Sequence, residues 1–231
     1  MLGGVWLIYF SFGLLAASIA PLIAPISADL ALSNTAIGSI LGAWPLVYIL
    51  VAIPCGVFVD RAGLKWALFL AAILIAASGA LRALAPGYIT MFLAVGIFGI
   101  GGPLISIGAP KAIAQWFAGR ERGIAIGIYI TGPSLGSVLA LSLTNSVLMP
   151  AVDNDWRVAL MIYAIIVLVA GFAWFALAMN PVNRSVEAAT KKGGTMGDQL
   201  AVFSALLRIR SVWLVLAMSI GIFFFFHDAS Y

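Results

Sequence analysis

The chain has 231 residues, of which 64% are apolar and only 9% charged, and its mean hydropathy is +1.15. Soluble domains are nearer half apolar and a quarter charged, so these figures exclude a water-soluble globular fold and indicate an integral membrane protein. The net charge of +4 does not indicate nucleic acid, because the basic residues sit in short segments between apolar runs.

A bilayer-crossing helix needs about 20 residues at 1.5 Å rise each. Apolar runs of that length cover about 4–26, 35–59, 66–84, 88–113, 122–149 and 157–179, and a seventh begins near 212. The first run is expected to remain as a span, since it lacks a basic leader and a convincing cleavage site. Pro21, Pro45, Pro103, Pro110 and Pro133 fall inside spans. Membrane helices tolerate proline where neighbours re-satisfy the freed backbone groups. The single cysteine, Cys55, leaves no intrachain disulfide to form.

Basic residues set the orientation. The segments joining spans 2–3, 4–5 and 6–7 hold ten (Arg61, Lys65, Lys111, Arg120, Arg122, Arg184, Lys191, Lys192, Arg208, Arg210), whereas the opposite segments hold only Arg82 and Arg157. The positive-inside rule therefore predicts a cytoplasmic N-terminus in a multi-pass protein of the cytoplasmic membrane. After Asn180-Pro181 the composition changes. Residues 184–198 are polar around Lys191-Lys192-Gly193-Gly194 and read as a linker. Leu200, Phe203, Leu206 and Leu207 then recur at helical spacing ahead of Arg208 and Arg210, as in an amphipathic helix lying on the cytoplasmic surface. The expected organisation is a six-helix transmembrane bundle over 1–179, a cytoplasmic linker over 180–210, and the start of a seventh helix over 211–231. Six spans, a basic linker and a seventh span suit a protein made of two six-helix halves. This chain then carries one half and expects the missing half, or a second copy, as a partner.

The segment Gly56-Val-Phe-Val-Asp60-Arg61-Ala-Gly63-Leu64-Lys65 packs three charges and two glycines into ten residues of a sparsely charged chain. It resembles the loop between helices 2 and 3 of the major facilitator superfamily, G-x-x-x-D-R-x-G-R/K-R/K. Gly56, Asp60, Arg61, Gly63 and Lys65 match, and Leu64 stands where a basic residue is usual. The resemblance implies an all-α transporter fold working by alternating access, with this loop as a latch between halves. It assigns close helix approach to Gly56 and contact with a helix N-terminus of the other half to Asp60. Pairing with acids or helix C-termini falls to Arg61 and Lys65. The run Lys111-Ala-Ile-Ala-Gln-Trp-Phe-Ala-Gly-Arg-Glu-Arg-Gly-Ile-Ala-Ile-Gly127 resembles the helix 4–5 junction of the same superfamily. With Leu143-Thr144-Asn145 and the Trp156-Arg157 helix start, it looks most like the cyanate permease and nitrate/nitrite porter branches.

Span 5 carries Gly132-Pro133-Ser134-Leu135-Gly136, which resembles the family's antiporter motif G-P-x-x-G. Physically, Gly123/Gly127 and Gly132/Gly136 are small-xxx-small pairs suited to close helix packing. Antiporters with this motif usually have an arginine four residues before a Gly-x-Gly in helix 4. Here Val95 holds that place ahead of Gly99-Ile100-Gly101, which argues against proton-coupled drug antiport.

No Asp or Glu falls at mid-membrane in spans 1–6, while positive residues stand near both mouths. The substrate expected is thus a small organic or inorganic anion, with a coupling proton as a further candidate. Candidate pathway residues are Tyr9, Trp44, Tyr48, Arg82, Ser106, Lys111, Thr131 and Ser134. Trp44 and Tyr48, at i and i+4, share a face. Arg82 lies sixteen residues after Trp66, near the outer end of span 3, as a snorkelling anchor or an attractor for anions at the mouth. Lys111 lies near the cytoplasmic end of span 4, and Asp29 is expected in the first outer loop. No metal-ligand cluster, cofactor motif or nucleophile–base set is present, so neither cofactor nor enzyme activity is expected. The rival readings are a drug or metabolite:proton antiporter and a non-transporting membrane scaffold.

Overall fold

A computed structural model of the chain describes residues 1–180 and four positions beyond them, 197, 205, 209 and 213. The chain divides into two compact units, Met1–Gly193 and Gly194–Tyr231, and the six spans belong to the first. Apart from Asn180 and those four positions, the expected linker and seventh helix lie outside the described residues, as do His227 and Asp228.

Backbone N–H and C=O groups in a bilayer must be satisfied within the protein, by helix or closed barrel, and continuous apolar runs of about 20 residues suit helix, not the short alternating strands of a barrel. Among the described residues there is no strand, and six helices are long and apolar enough to cross a membrane. They are α1 (Leu2–Asp29), α2 (Asn34–Ala62), α3 (Leu64–Ala83), α4 (Tyr88–Trp116), α5 (Gly119–Ala151) and α6 (Trp156–Ala178). Short connections make neighbours in sequence antiparallel. One end of the bundle thus gathers the end of α2, the start of α3, the end of α4 and the start of α5; this is the Asp60 end. The other, the Arg157 end, gathers the ends of α1, α3 and α5 with the starts of α2, α4 and α6.

Two helices are interrupted. Regular helix in α1 stops at Ala17, a tight 3₁₀ turn covers Ala20–Leu22, and helix resumes over Ile23–Asp29. Pro21 explains the break, because its ring crowds the carbonyl four residues back and it has no N–H to donate. In α5 a π-helical turn covers Thr144–Leu148. There the Thr144 hydroxyl bonds the Ala140 carbonyl and lies 2.6 Å from the Tyr163 hydroxyl of α6. Caps close two starts. The Ser33 hydroxyl accepts from the Ala36 N–H at 3.2 Å, and Asp155 accepts from the N–H groups of Arg157 and Val158.

The expected boundaries hold to within a few residues, with one informative exception. The charged turn expected after residue 59 is not a loop. α2 continues through Asp60 and Arg61 to Ala62, and Gly63 alone makes the connection at φ 85° before α3 starts at Leu64. Neither Asp60 nor Arg61 stops a helix, and only glycine enters the left-handed region without a Cβ penalty.

Packing puts α1 against α5, α2 against α4, and α3 against both α4 and α6, with α6 also touching α1. The core follows those contacts through Leu15, Leu68, Ile75, Phe98, Ile105 and Trp174. The α1–α5 seam is a backbone-to-backbone contact. A Cβ on Gly13 would collide with the Pro133 carbonyl, and one on Gly136 with the Phe10 carbonyl. A Cβ on Gly132 would likewise come within 3.0 Å of Phe10 N and Trp6 O. The second pair, Gly123/Gly127, was expected to pack helices too, but among the described residues nothing lies within 4 Å of a Cβ at either. Spacing identifies a small face on a helix; it does not say whether a neighbour occupies it.

Candidate functional site

The residues of the expected latch lie at the Asp60 end. In the last turns of α2, Gly56 is buried, Asp60 half-buried and Arg61 exposed. The Asp60 carboxylate forms an ion pair with the Lys111 ammonium of α4. Lys111, expected as a pathway candidate or interfacial anchor, thus neutralises the acid of the motif from the neighbouring helix. Lys65 lies at the start of α3, with its ammonium 4.8 Å from the Trp66 ring and 5.4 Å from the Phe175 ring. Its carbonyl accepts from the Trp174 indole N–H of α6 at 3.2 Å. One turn past Lys111, the Gln115 side-chain oxygen and the adjacent Trp116 indole nitrogen are buried without a hydrogen-bond partner.

Mid-bundle, three pathway candidates fall into one aromatic chain. Tyr9 of α1 lies 5.7 Å from Tyr129 of α5 and 6.0 Å from Phe12. Phe12 stacks on Phe98 of α4 at 5.1 Å, and Trp44 of α2 meets Phe98 edge-on at 5.7 Å. Tyr48 stands edge-on to Trp44 at 6.4 Å, as the i, i+4 spacing implies. Gly102 makes room, since a Cβ there would come within 2.7 Å of the Tyr48 ring. Phe12, Phe98 and Tyr129 were not singled out in the sequence; as apolar or isolated aromatic residues they carry no signal until helix rotation is known.

The polar candidates separate. The Thr131 hydroxyl accepts from the Trp6 indole N–H at 3.0 Å and donates to the Ile128 carbonyl at 2.7 Å, so it stitches α1 to α5. Ser137 adds a bond to the Gly13 carbonyl at 3.1 Å. Ser134 is exposed and Ser106 half-buried, and neither joins the aromatic chain. Pro133 supports the Gly13 crossing described above.

Arg82 was expected as a snorkelling anchor or an attractor for anions at the outer mouth; it is only 1% exposed, so it does not snorkel. Side chains on a helix lean toward its N-terminus, which here is inward. The guanidinium therefore lies over the Phe98 ring, 5.1 Å from its centroid, and donates to the Leu15 carbonyl at 3.2 Å.

The Arg157 end has its own charge cluster. Asp29 is the last helical residue of α1, not a loop acid, and lies 3.0 Å from Arg157 of α6. Arg157 also donates to the Ala83 and Ala85 carbonyls, at 3.1 and 2.8 Å, and covers the Trp156 ring. The signal in the sequence was a rare basic residue and an acid assigned to the same face. Among the described residues no group of three or more His, Cys, Asp or Glu side chains could hold a metal ion.

A six-helix membrane bundle with a charged pair joining α2 and α4 at one end and an aromatic midsection suits a transporter-type fold. The sequence model of the Major Facilitator Superfamily matches residues 5–229, and the chain belongs to that superfamily as a multi-pass integral membrane protein. It is 28% identical over 161 residues to the hexuronate transporter of Bacillus subtilis (strain 168), covering 70% of this chain and 37% of the relative. Over 184 residues it is 26% identical to the galacturonate transporter of Dickeya chrysanthemi, covering 75% and 52%. The probable nitrate transporter NarT of Staphylococcus carnosus (strain TM300) is 28% identical over 161 residues, covering 69% and 40%. NarT meets the expected likeness to nitrate porters, while the uronate carriers extend it to carboxylates. Among solved structures, a peptide transporter POT (E310Q mutant) in complex with alafosfalin superposes with a TM-score of 0.61 at 17% identity. It covers 96% of this chain and 48% of that one, a likeness of fold. The chain spans about half the length, or less, of the curated relatives it matches.

Proposed function

We propose that this chain forms the N-terminal six-helix half of a secondary active transporter that moves a small anion across the cytoplasmic membrane by alternating access. Its N-terminus and Asp60 end face the cytoplasm, as the distribution of basic residues favours. Residues 180–210 link the bundle to a second half that begins with the seventh span. The observation that carries the substrate class is the placement of acids. Asp29, Asp60, Glu121, Asp153 and Asp155 all stand at an end of the bundle, so among residues 1–180 nothing acidic lies within it to repel an anion. The names of the uronate and nitrate relatives agree with this reading.

In this mechanism the two halves rock about a midplane site. Tyr9, Trp44 and Tyr48 line this half's share of it, with Ser106 and Ser134 supplying hydroxyls. Gly56, Asp60, Arg61, Gly63, Lys65 and Lys111 hold the cytoplasmic end closed in one state. A site for a coupling proton belongs to residues outside 1–180. The test is uptake of radiolabelled galacturonate and of nitrate by the full-length gene product in proteoliposomes. Saturable uptake of at least one anion is expected. Transport of neither, in vesicles that hold folded protein, refutes the proposal.

A further inference from the structure

Arg82 is a fixed positive charge, since a guanidinium is not deprotonated in proteins. It is buried inside a membrane bundle, where ionisable groups are costly and are usually kept for a purpose. Lys111 pairs with Asp60 and Arg157 with Asp29, and among the described residues no carboxylate pairs with Arg82. What it has is one carbonyl, Leu15 O at 3.2 Å, and the face of Phe98. Its Nε is buried with no hydrogen-bond partner.

The carbonyl contact is replaceable. Leu15 O lies at the break in α1, where it also accepts the Ser18 hydroxyl at 2.8 Å and the Ser18 N–H at 3.4 Å. If the guanidinium swings away, that carbonyl keeps a partner. The free end of a helix also favours a cation only modestly, so this contact is a weak tether. On its other side Arg82 backs Phe98, the ring on which Phe12 and Trp44 converge. Below it, Ser78 donates to the Ala94 carbonyl at 2.6 Å and fixes α3 on α4, so the base of the arginine is held while its tip is under-bonded.

We propose that Arg82 is the intramembrane counter-charge for the transported anion: a planar oxyanion, carboxylate or nitrate, takes the open Nε edge of the guanidinium as Phe98 gives way. This assignment rests on the anion-carrier reading and names the residue that would give that reading its charge selectivity. A planar two-oxygen acceptor fits the guanidinium fork, which an ammonium cannot reproduce.

The experiment compares the parent full-length gene product with R82K and R82M in proteoliposomes, using galacturonate and nitrate as probes. Initial uptake rates are read against anion concentration, and thermal midpoints with and without each anion. R82K is expected to raise KM about tenfold or more, because it keeps the charge and loses the fork. R82M is expected to abolish saturable uptake and the anion-induced rise in midpoint. Its anion-free midpoint should equal or exceed the parent's, since an uncompensated buried charge has been removed. Dependence on Arg82 for galacturonate alone, or for nitrate alone, supports the assignment for that oxyanion. A parental KM in either variant overturns it, as does an unfolded R82M beside an R82K with parental kinetics. A parent that moves neither anion overturns the transport reading and the assignment together.

Discussion

The two ends of the bundle are built on opposite principles. At the Arg157 end one guanidinium meets a carboxylate and two main-chain carbonyls and lies over an indole, so α1, α3 and α6 are closed on one another. At the Asp60 end Lys111 of α4 pairs with the acid, while two buried polar atoms one turn further along α4 find no hydrogen-bond partner among the described residues. The first turns of α5 there stand clear, with open space around Gly123 and Gly127. Native structures seldom leave buried polar atoms unpaired. The contrast teaches that at the Arg157 end one side chain ties three helices together, whereas α4 at the Asp60 end keeps two buried polar atoms that no described residue satisfies. This suits the proposal that the chain is a half-bundle gripping its other half at the Asp60 end.

Substitutions can break or sharpen the contrast. The largest effect is expected from Gly136→Leu on the α1–α5 seam, which runs between the ends and holds both in register. The new side chain meets main chain, which cannot step aside, so destabilisation of about 3 kcal/mol or more is expected. The readout is loss of monodisperse folded protein after detergent extraction. Arg157→Ala should follow, since it strips a partly exposed carboxylate and two carbonyls of their donor. A cost of about 2 kcal/mol lowers the thermal midpoint by about 4–8 °C in a domain of this size. The smallest effect is expected from Gly123→Ala at the Asp60 end. With nothing near its Cβ and a helical backbone, it should be neutral or stabilise by up to about 1 kcal/mol. A marked loss there would mean that the start of α5 is packed after all.

The legible part of this fold was the part set by the bilayer. A hydrocarbon core of fixed thickness dictates the length of an apolar run, so all six spans could be read to within a few residues. The charged Gly56–Lys65 segment was legible as a motif because its residues lie within ten positions of one another. Azimuth and reach were not legible. Gly123/Gly127 and Gly132/Gly136 have the same spacing, but only the second pair faces a neighbour. Arg82 has its backbone near a helix end, where a basic residue usually turns outward; only the lean of its side chain and the opening at the α1 break carry it inward to Leu15 and Phe98. Asp29 and Arg157 are 128 residues apart, and their pairing depends on how α1 and α6 end at the same level. Lys111 and Asp60 were each read on their own helix, as anchor and as latch, because contact between α2 and α4 cannot be seen in either segment alone.

The division of labour between the ends is tested most directly by Lys111→Met in the full-length gene product, with thermal midpoint and initial anion uptake measured on the same preparation. A partly exposed ion pair contributes little to stability, about 1 kcal/mol at most, so the midpoint should stay within about 4 °C of the parent. Uptake per folded molecule should fall about tenfold, because the proposed latch can no longer close in register. A midpoint that drops as far as it does in Arg157→Ala, with uptake per folded molecule unchanged, would contradict the account.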